Sequence, residues 1–169
     1  GDITATDCKF IGHNNDSSEH GNITMYGAWV SNGTAAFDNC EFTGTRGLKV
    51  HEAYGSDVTS TTVEGCTFDS LVEKPGIAFG TLDASTAVTV SECEFINCLQ
   101  YETDTEKFNL KMKDCATTID VATAEELAEA LAATNPVLTG DYTINITADI
   151  DLKDVTLTSG YLNGYKGAK

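Results

Sequence analysis

The triplet Cys-x-Phe returns along this chain as Cys8-Lys9-Phe10, Cys40-Glu41-Phe42, Cys66-Thr67-Phe68 and Cys93-Glu94-Phe95, and a fifth, degenerate copy ends at Cys115. The four triplet cysteines and Cys115 stand 32, 26, 27 and 22 residues apart in turn. Self-similarity at such a period is the mark of stacked repeats, in which each unit is too thin to bury its apolar side alone and must lie on its neighbours.

Alignment on the triplet extends the pattern. Three residues before each cysteine stand Ala5, Phe37, Val63, Val90 and Met112, and two further back Ile3, Ala35, Thr61, Val88 and Leu110. This is period-two alternation, the signature of a strand. The two residues between each strand and its cysteine are mostly turn formers: Thr6-Asp7, Asp38-Asn39, Glu64-Gly65, Ser91-Glu92 and Lys113-Asp114. A second alternating stretch is read as Ile23-Thr24-Met25-Tyr26, Leu48-Lys49-Val50-His51, Ile77-Ala78-Phe79-Gly80 and Phe108-Asn109-Leu110-Lys111, with Gly21, Gly47 and Gly76 leading three of them. Two or three short strands per repeat, parted by turns, predict one coil of a right-handed parallel β-helix. Coils stacked at ~4.8 Å then place cysteines, phenylalanines and aliphatic residues in separate inward rows.

The spacing of Cys-x-Phe and the Asn, Asp and Gly kinks resemble the pectate-lyase-like parallel β-helix superfamily. Segments such as "GLKVHEAYGSDVT" and "TVEGCTFDSL" are similar to repeat regions of large bacterial surface proteins with that fold. The resemblance implies an extracellular or cell-surface bacterial setting. It carries little about activity, because one fold hosts many functions.

Composition narrows the partners. The formal net charge is −16 and Arg46 is the only arginine, which argues against nucleic acid and anionic membrane surfaces. No stretch reads as a transmembrane span or a signal peptide, so the chain is taken as a mature or excised segment. The six cysteines lack the close pairing of zinc sites, and most recur at one inward position, so they are expected as a row of buried thiols. Cys98 stands off that row.

The repeat occupies residues 1–116, and the character changes over residues 117–169. Thr123-Ala-Glu-Glu126 is a capping box, and residues 124–133 are rich in strong helix formers with Leu127, Ala130 and Leu131 on one face. Asn135-Pro136 should end this helix. Strand-like stretches follow at Tyr142-Thr143-Ile144-Asn145-Ile146 and over residues 155–158. In the surface proteins that the chain resembles, such a helix opens a β-helix, whereas here it comes late and Ile3 starts directly in a rung. The segment is therefore expected to complete the stack at the end holding Ile3 and Ala5, through Leu127, Leu131, Ile144 and Ile146. The partner is either the same chain or, as favoured here, a neighbour, which would give head-to-tail association.

Candidates for chemistry are few. If Leu48 and Val50 face inward, Lys49 and His51 face outward together, with Arg46 and Tyr26 nearby. Such a basic face could bind or cleave an acidic polysaccharide, but it is also what a solvated surface offers. Lyases of the superfamily carry clustered acidic Ca²⁺ ligands beside an arginine, and no such cluster is evident on aligned rungs. His13 and His20 flank a polar insertion, and Asp149 and Asp151 alternate on a strand; neither pair makes a metal site by itself. No catalytic or nucleotide-binding motif occurs. Threonine is abundant, 24 of 169 residues, yet the outward triplet position holds Lys9, Glu41, Thr67 and Glu94, which is no threonine array of the ice-binding kind.

The expectation is thus an all-β chain, a right-handed parallel β-helix with one amphipathic capping helix. It is expected to act without enzymatic activity, cofactor or metal, as a structural or adhesive module of an extracellular bacterial surface protein or fibre. A carbohydrate-active β-helix is the alternative, and a passive spacer within one long chain the third reading.

Overall fold

The computed structural model describes residues 2–15, 23–24, 26–52, 55–69, 75–104, 108–132 and 140–151. Three parallel sheets wind into a β-solenoid of about four turns. The first sheet stacks β1 (Ile3–Thr6), β6 (Gly33–Asp38), β9 (Val58–Glu64), β12 (Ala87–Ser91) and β15 (Asn109–Lys113) in that order. The second stacks β2 (Lys9–Gly12), β7 (Glu41–Gly44), β10 (Thr67–Asp69), β13 (Glu94–Ile96), β16 (Ala116–Val121) and β17 (Tyr142–Ile146). The third stacks β5 (Tyr26–Val30), β8 (Arg46–Val50), β11 (Ile77–Phe79) and β14 (Tyr101–Thr103). A two-residue antiparallel hairpin, β3 (Asn14–Asn15) with β4 (Ile23–Thr24), stands outside the three sheets.

The register of the first sheet is the one the repeat predicts. Ala5 pairs with Phe37, Phe37 with Val63, Val63 with Val90, and Val90 with Met112. Each strand of this sheet turns into the second sheet through one left-handed residue: Asp7, Asn39, Gly65, Glu92 and Asp114, with φ of 53°, 51°, 59°, 55° and 52°. Asp, Asn and Gly visit this region most readily, which accounts for their recurrence before four of these five cysteines, with Glu92 the exception. The turn then repeats from coil to coil through backbone bonds such as Asn39 N–H to the Glu64 carbonyl at 2.9 Å.

The inward rows follow. The rings of Phe10, Phe42, Phe68 and Phe95 stack with centroids 4.9, 4.7 and 4.9 Å apart and planes within 14°. That separation is the strand spacing itself. The phenylalanine row ends at Thr117, whose buried hydroxyl accepts a 3.1 Å bond from the fully buried Gln100 amide. Beside it runs the cysteine row. Every cysteine is a free thiol, and all but Cys8 are buried. Cys66, Cys93 and Cys115 each direct Sγ at the carbonyl two residues back (Glu64, Ser91, Lys113; 3.2–3.5 Å) and at one in the preceding coil (Phe37, Val63, Val90; 3.6–3.8 Å). Contact with the thiols of Cys115 and Cys66, and then burial, pushes the Cys93 thiol far above its ordinary range.

The second alternating stretch needs a correction at both ends. Leu48–Val50 and Ile77–Phe79 pair as expected. The first coil, however, contributes Ala28, Trp29 and Val30 opposite Leu48, Lys49 and Val50, while Ile23–Thr24 is taken up by the hairpin. At the other end Tyr101–Thr103 pairs with Ile77–Phe79, and Leu110 belongs to the first sheet opposite Val88. Alternation alone cannot say which of two adjacent alternating stretches joins which sheet.

Helix α1 (Ala124–Ala132) follows β16, and its capping box forms as read. Glu126 N–H donates to Thr123 Oγ1 at 3.2 Å, while Glu126 Oε2 accepts from the N–H groups of Ala122 and Thr123 at 2.8 and 3.1 Å. Leu127, Ala130 and Leu131 pack with Val121, Ile119, Ile144 and Ile150 in a second core, apart from the one that fills the coils. The helix and β17 thus lie at the end of the second sheet opposite β2. In the described part of the segment β16 continues the stack forward, and β17 adds to it in parallel. Ala133, Pro136, His20 and residues 155–158 lie outside the described residues.

Candidate functional site

The basic residues singled out from the sequence meet on the third sheet. Tyr26 and Arg46 are register partners, as are Trp29 and Lys49. Arg46 Nη1–H donates to Tyr26 Oη at 3.0 Å, and its guanidinium carbon lies 5.2 Å from the Tyr26 ring centre. Lys49 Nζ lies 5.2 Å from the ring centres of both Tyr26 and Trp29, within reach of a cation–π attraction. Trp29 is 55% exposed, an unusual cost for an indole on a soluble surface. Its Nε1–H points to the His51 carbonyl at 3.5 Å, and its ring lies 6.1 Å from the His51 imidazole.

His51 is held rather than loose. Its Nδ1 accepts the Thr81 N–H at 2.9 Å, so the neutral ring carries its proton on Nε2. Gly80 makes this possible, since a Cβ there would fall 2.3 Å from His51 Nδ1. With that lone pair engaged, Nε2–H is the ring group left to meet a ligand. The patch can hold an anion between cations and present flat aromatic faces.

Trp29 completes the patch and was not among the residues singled out. The signal was present: Tyr26-Gly27-Ala-Trp-Val matches Arg46-Gly47-Leu-Lys-Val if the glycines are superposed. Gly27 is tight there, with a Cβ landing 3.1 Å from Phe10 Cβ and 3.3 Å from the Gly47 carbonyl oxygen.

The second notable feature is the difference between the ends. In the inner coils Ala35, Phe37, Cys40 and Phe42 are buried, whereas in the first coil Ile3 is 61% exposed, Cys8 is exposed, and Ala5 and Phe10 are half-buried. Ile3, Phe10, Ala28, Val30, Ala35 and Phe37 help line an open hollow of ≈ 510 Å³ at this mouth. At the opposite end Leu127 and Leu131 are covered, Ile144 is half-buried, and Ile146 is 59% exposed on the last strand of the second sheet. The residues expected to take part in assembly therefore form two sets, one at each end of the chain's own stack.

Among the described residues no three His, Cys, Asp or Glu side chains come together as a metal site, and His13, Asp149 and Asp151 are exposed. Cys98 is buried, its Sγ 3.5 Å from the Phe68 carbonyl; burial, then the nearby Asp69 carboxylate, pushes its thiol up to about 12. Such a thiol is inert packing at neutral pH. Compared with protein families, with curated protein sequences and with solved structures, the chain matches none.

Proposed function

We propose that this chain is a non-catalytic structural or adhesive module of an extracellular bacterial surface protein or fibre, whose units associate end to end. The observation that carries the reading is the open first coil. Its Ile3 is 61% exposed, while Ala35, one rung inward at the same register, is 6% exposed. A solenoid grows by adding rungs, and a final rung whose apolar residues are exposed, with no second neighbour among the described residues, is a template for another. A contact that uses two unlike ends is heterologous and, if it does not close on itself, builds a filament. The resemblance of segments such as residues 47–59 to repeat regions of large bacterial surface proteins supports the surface setting.

The patch of Tyr26, Trp29, Arg46, Lys49 and His51 favours a second reading, a face that binds an acidic glycan. The same side chains would serve adhesion without bond cleavage. Electron microscopy of the intact chain tests the main reading, with rods many times longer than one unit expected. Single particles that release unsaturated products from an acidic polysaccharide, with the activity lost in Lys49→Ala, would instead establish a carbohydrate-active enzyme.

A further inference from the structure

We infer that His51 makes anion binding on this face proton-linked. As a neutral ring it latches Thr81, at the head of the loop of residues 81–86, to the patch. As a cation it releases Thr81 and joins Arg46 and Lys49 in holding an anionic group. This rests on the second reading above, a face that binds an acidic glycan, and adds the regulation of that face.

The latch is one hydrogen bond that depends on protonation. Thr81 N–H donates to His51 Nδ1 at 2.9 Å, and among the described residues no other acceptor meets it. A proton on Nδ1 sets two donors face to face, so the imidazolium does not keep this bond. Histidine is the side chain whose charge ordinarily changes between pH 5 and 8. Thr81 is exposed, so water replaces the lost acceptor. The ring rests against Gly80, where a Cβ would fall 2.3 Å from Nδ1, so its way off Thr81 leads outward.

The rest of the loop is held by other groups. Glu52 Oε1 accepts from Asp83 N–H at 3.3 Å and from the Thr86 hydroxyl at 3.0 Å. Glu52 N–H donates to the Thr81 carbonyl at 3.0 Å, and Leu82 is buried in the core. None of these contacts uses the His51 ring, so release is confined to the Thr81 N–H.

The patch supplies what an imidazolium would join. Among the described residues no carboxylate pairs with Lys49, which lies instead against the rings of Tyr26 and Trp29. Around His51, β8 brings Arg46 and Lys49, β5 brings Tyr26 and Trp29, and β11 brings no charge. The carboxylates on this side are Glu52, Asp83 and, one rung beyond Gly80, Asp104. Glu52 is engaged as above, and Asp83 Oδ1 accepts from the Ser85 N–H and hydroxyl at 2.9 and 2.8 Å. A third cation on a face that carries two strengthens its hold on an anion. By reciprocity, a seated anion favours the proton on His51 by the same factor.

NMR and binding test this on the full chain. Between pH 8 and 5 the Thr81 amide signal should move with the same midpoint as the His51 ring nitrogens. At pH 5 that amide should exchange with water roughly tenfold faster than in His51→Asn, whose side-chain oxygen can hold Thr81 N–H without titrating. Dextran sulfate, whose charge is constant over this range, serves as the anionic glycan and dextran as its neutral counterpart. Emission from Trp29, the only tryptophan, reads the binding. Dextran sulfate should bind about five- to tenfold more tightly at pH 5.5 than at pH 8, His51→Asn should lose that dependence, and dextran should not bind. A Thr81 amide that ignores the His51 titration overturns the inference, as does the same pH dependence of binding in His51→Asn. If the amide follows His51 but dextran sulfate binds at neither pH, or dextran binds equally well, the anion-binding face itself fails and the linkage falls with it.

Discussion

The rings of Phe42 and Phe68 lie 4.7 Å apart with their planes 7° from parallel, one strand spacing across adjacent coils. This contact is repeated above and below, so Phe68 is fully buried between two rings and has no room to be replaced by solvent. Phe68→Ala should cost about 3–5 kcal/mol of stability, the range of large core truncations. Denaturant unfolding would measure it, and a loss below ~1 kcal/mol would mean that the row is not a continuous core.

Thr61 is the exception within the aliphatic row. It sits 1% exposed between Ala35 and Val88, and its Oγ1 has no hydrogen-bond partner. A buried, unsatisfied hydroxyl is costly, so Thr61→Val should stabilise the chain by about 1–2 kcal/mol. A destabilised variant on thermal unfolding would indicate that the hydroxyl is satisfied in solution.

The thiols should divide into two classes. Cys8 should react quickly with a thiol reagent in the native, dissociated chain, and the five buried cysteines only on unfolding. Association should then slow Cys8. Rapid native labelling of more than one thiol would contradict the stacked cysteine row.

Acid should loosen the last strand. The Asp120 carboxylate accepts from the side-chain amides of Asn97 at 3.1 Å and Asn145 at 2.8 Å, which holds it below its ordinary 3.8. A depressed value means that the contribution is present above 3.8 and lost as pH falls through the folded-state value. Glu126 is held down likewise, by the N–H groups of Ala122 and Thr123. Thermal midpoints should therefore fall more steeply below about pH 4 than in Asp120→Asn, which lacks this titration. An equal acid loss in that variant would remove Asp120 from the account.

The sequence made the first two sheets readable because their residues keep constant spacing to the cysteine: Ala5, Phe37, Val63, Val90 and Met112 pair as aligned. The third sheet was legible only in its middle, at Leu48–Val50 and Ile77–Phe79. The turn before it varies in length, and the insertion after His13 moved the first-coil strand to Tyr26–Val30. The same displacement hid Trp29, whereas Arg46, Lys49, His51 and Tyr26 were legible as an outward group. The helix and its cap were local signals, and Thr123 and Glu126 expressed them directly. Which end the helix serves was not local. It depends on β17 pairing with β16, a relation between strands parted by the helix.

Sedimentation velocity of the intact chain over a wide range of protein concentration tests end-to-end association most directly. The account predicts a mass that climbs with concentration in multiples of the 18.0 kDa unit, with frictional ratios rising as rods lengthen. A single compact 18.0 kDa species at every concentration would contradict it.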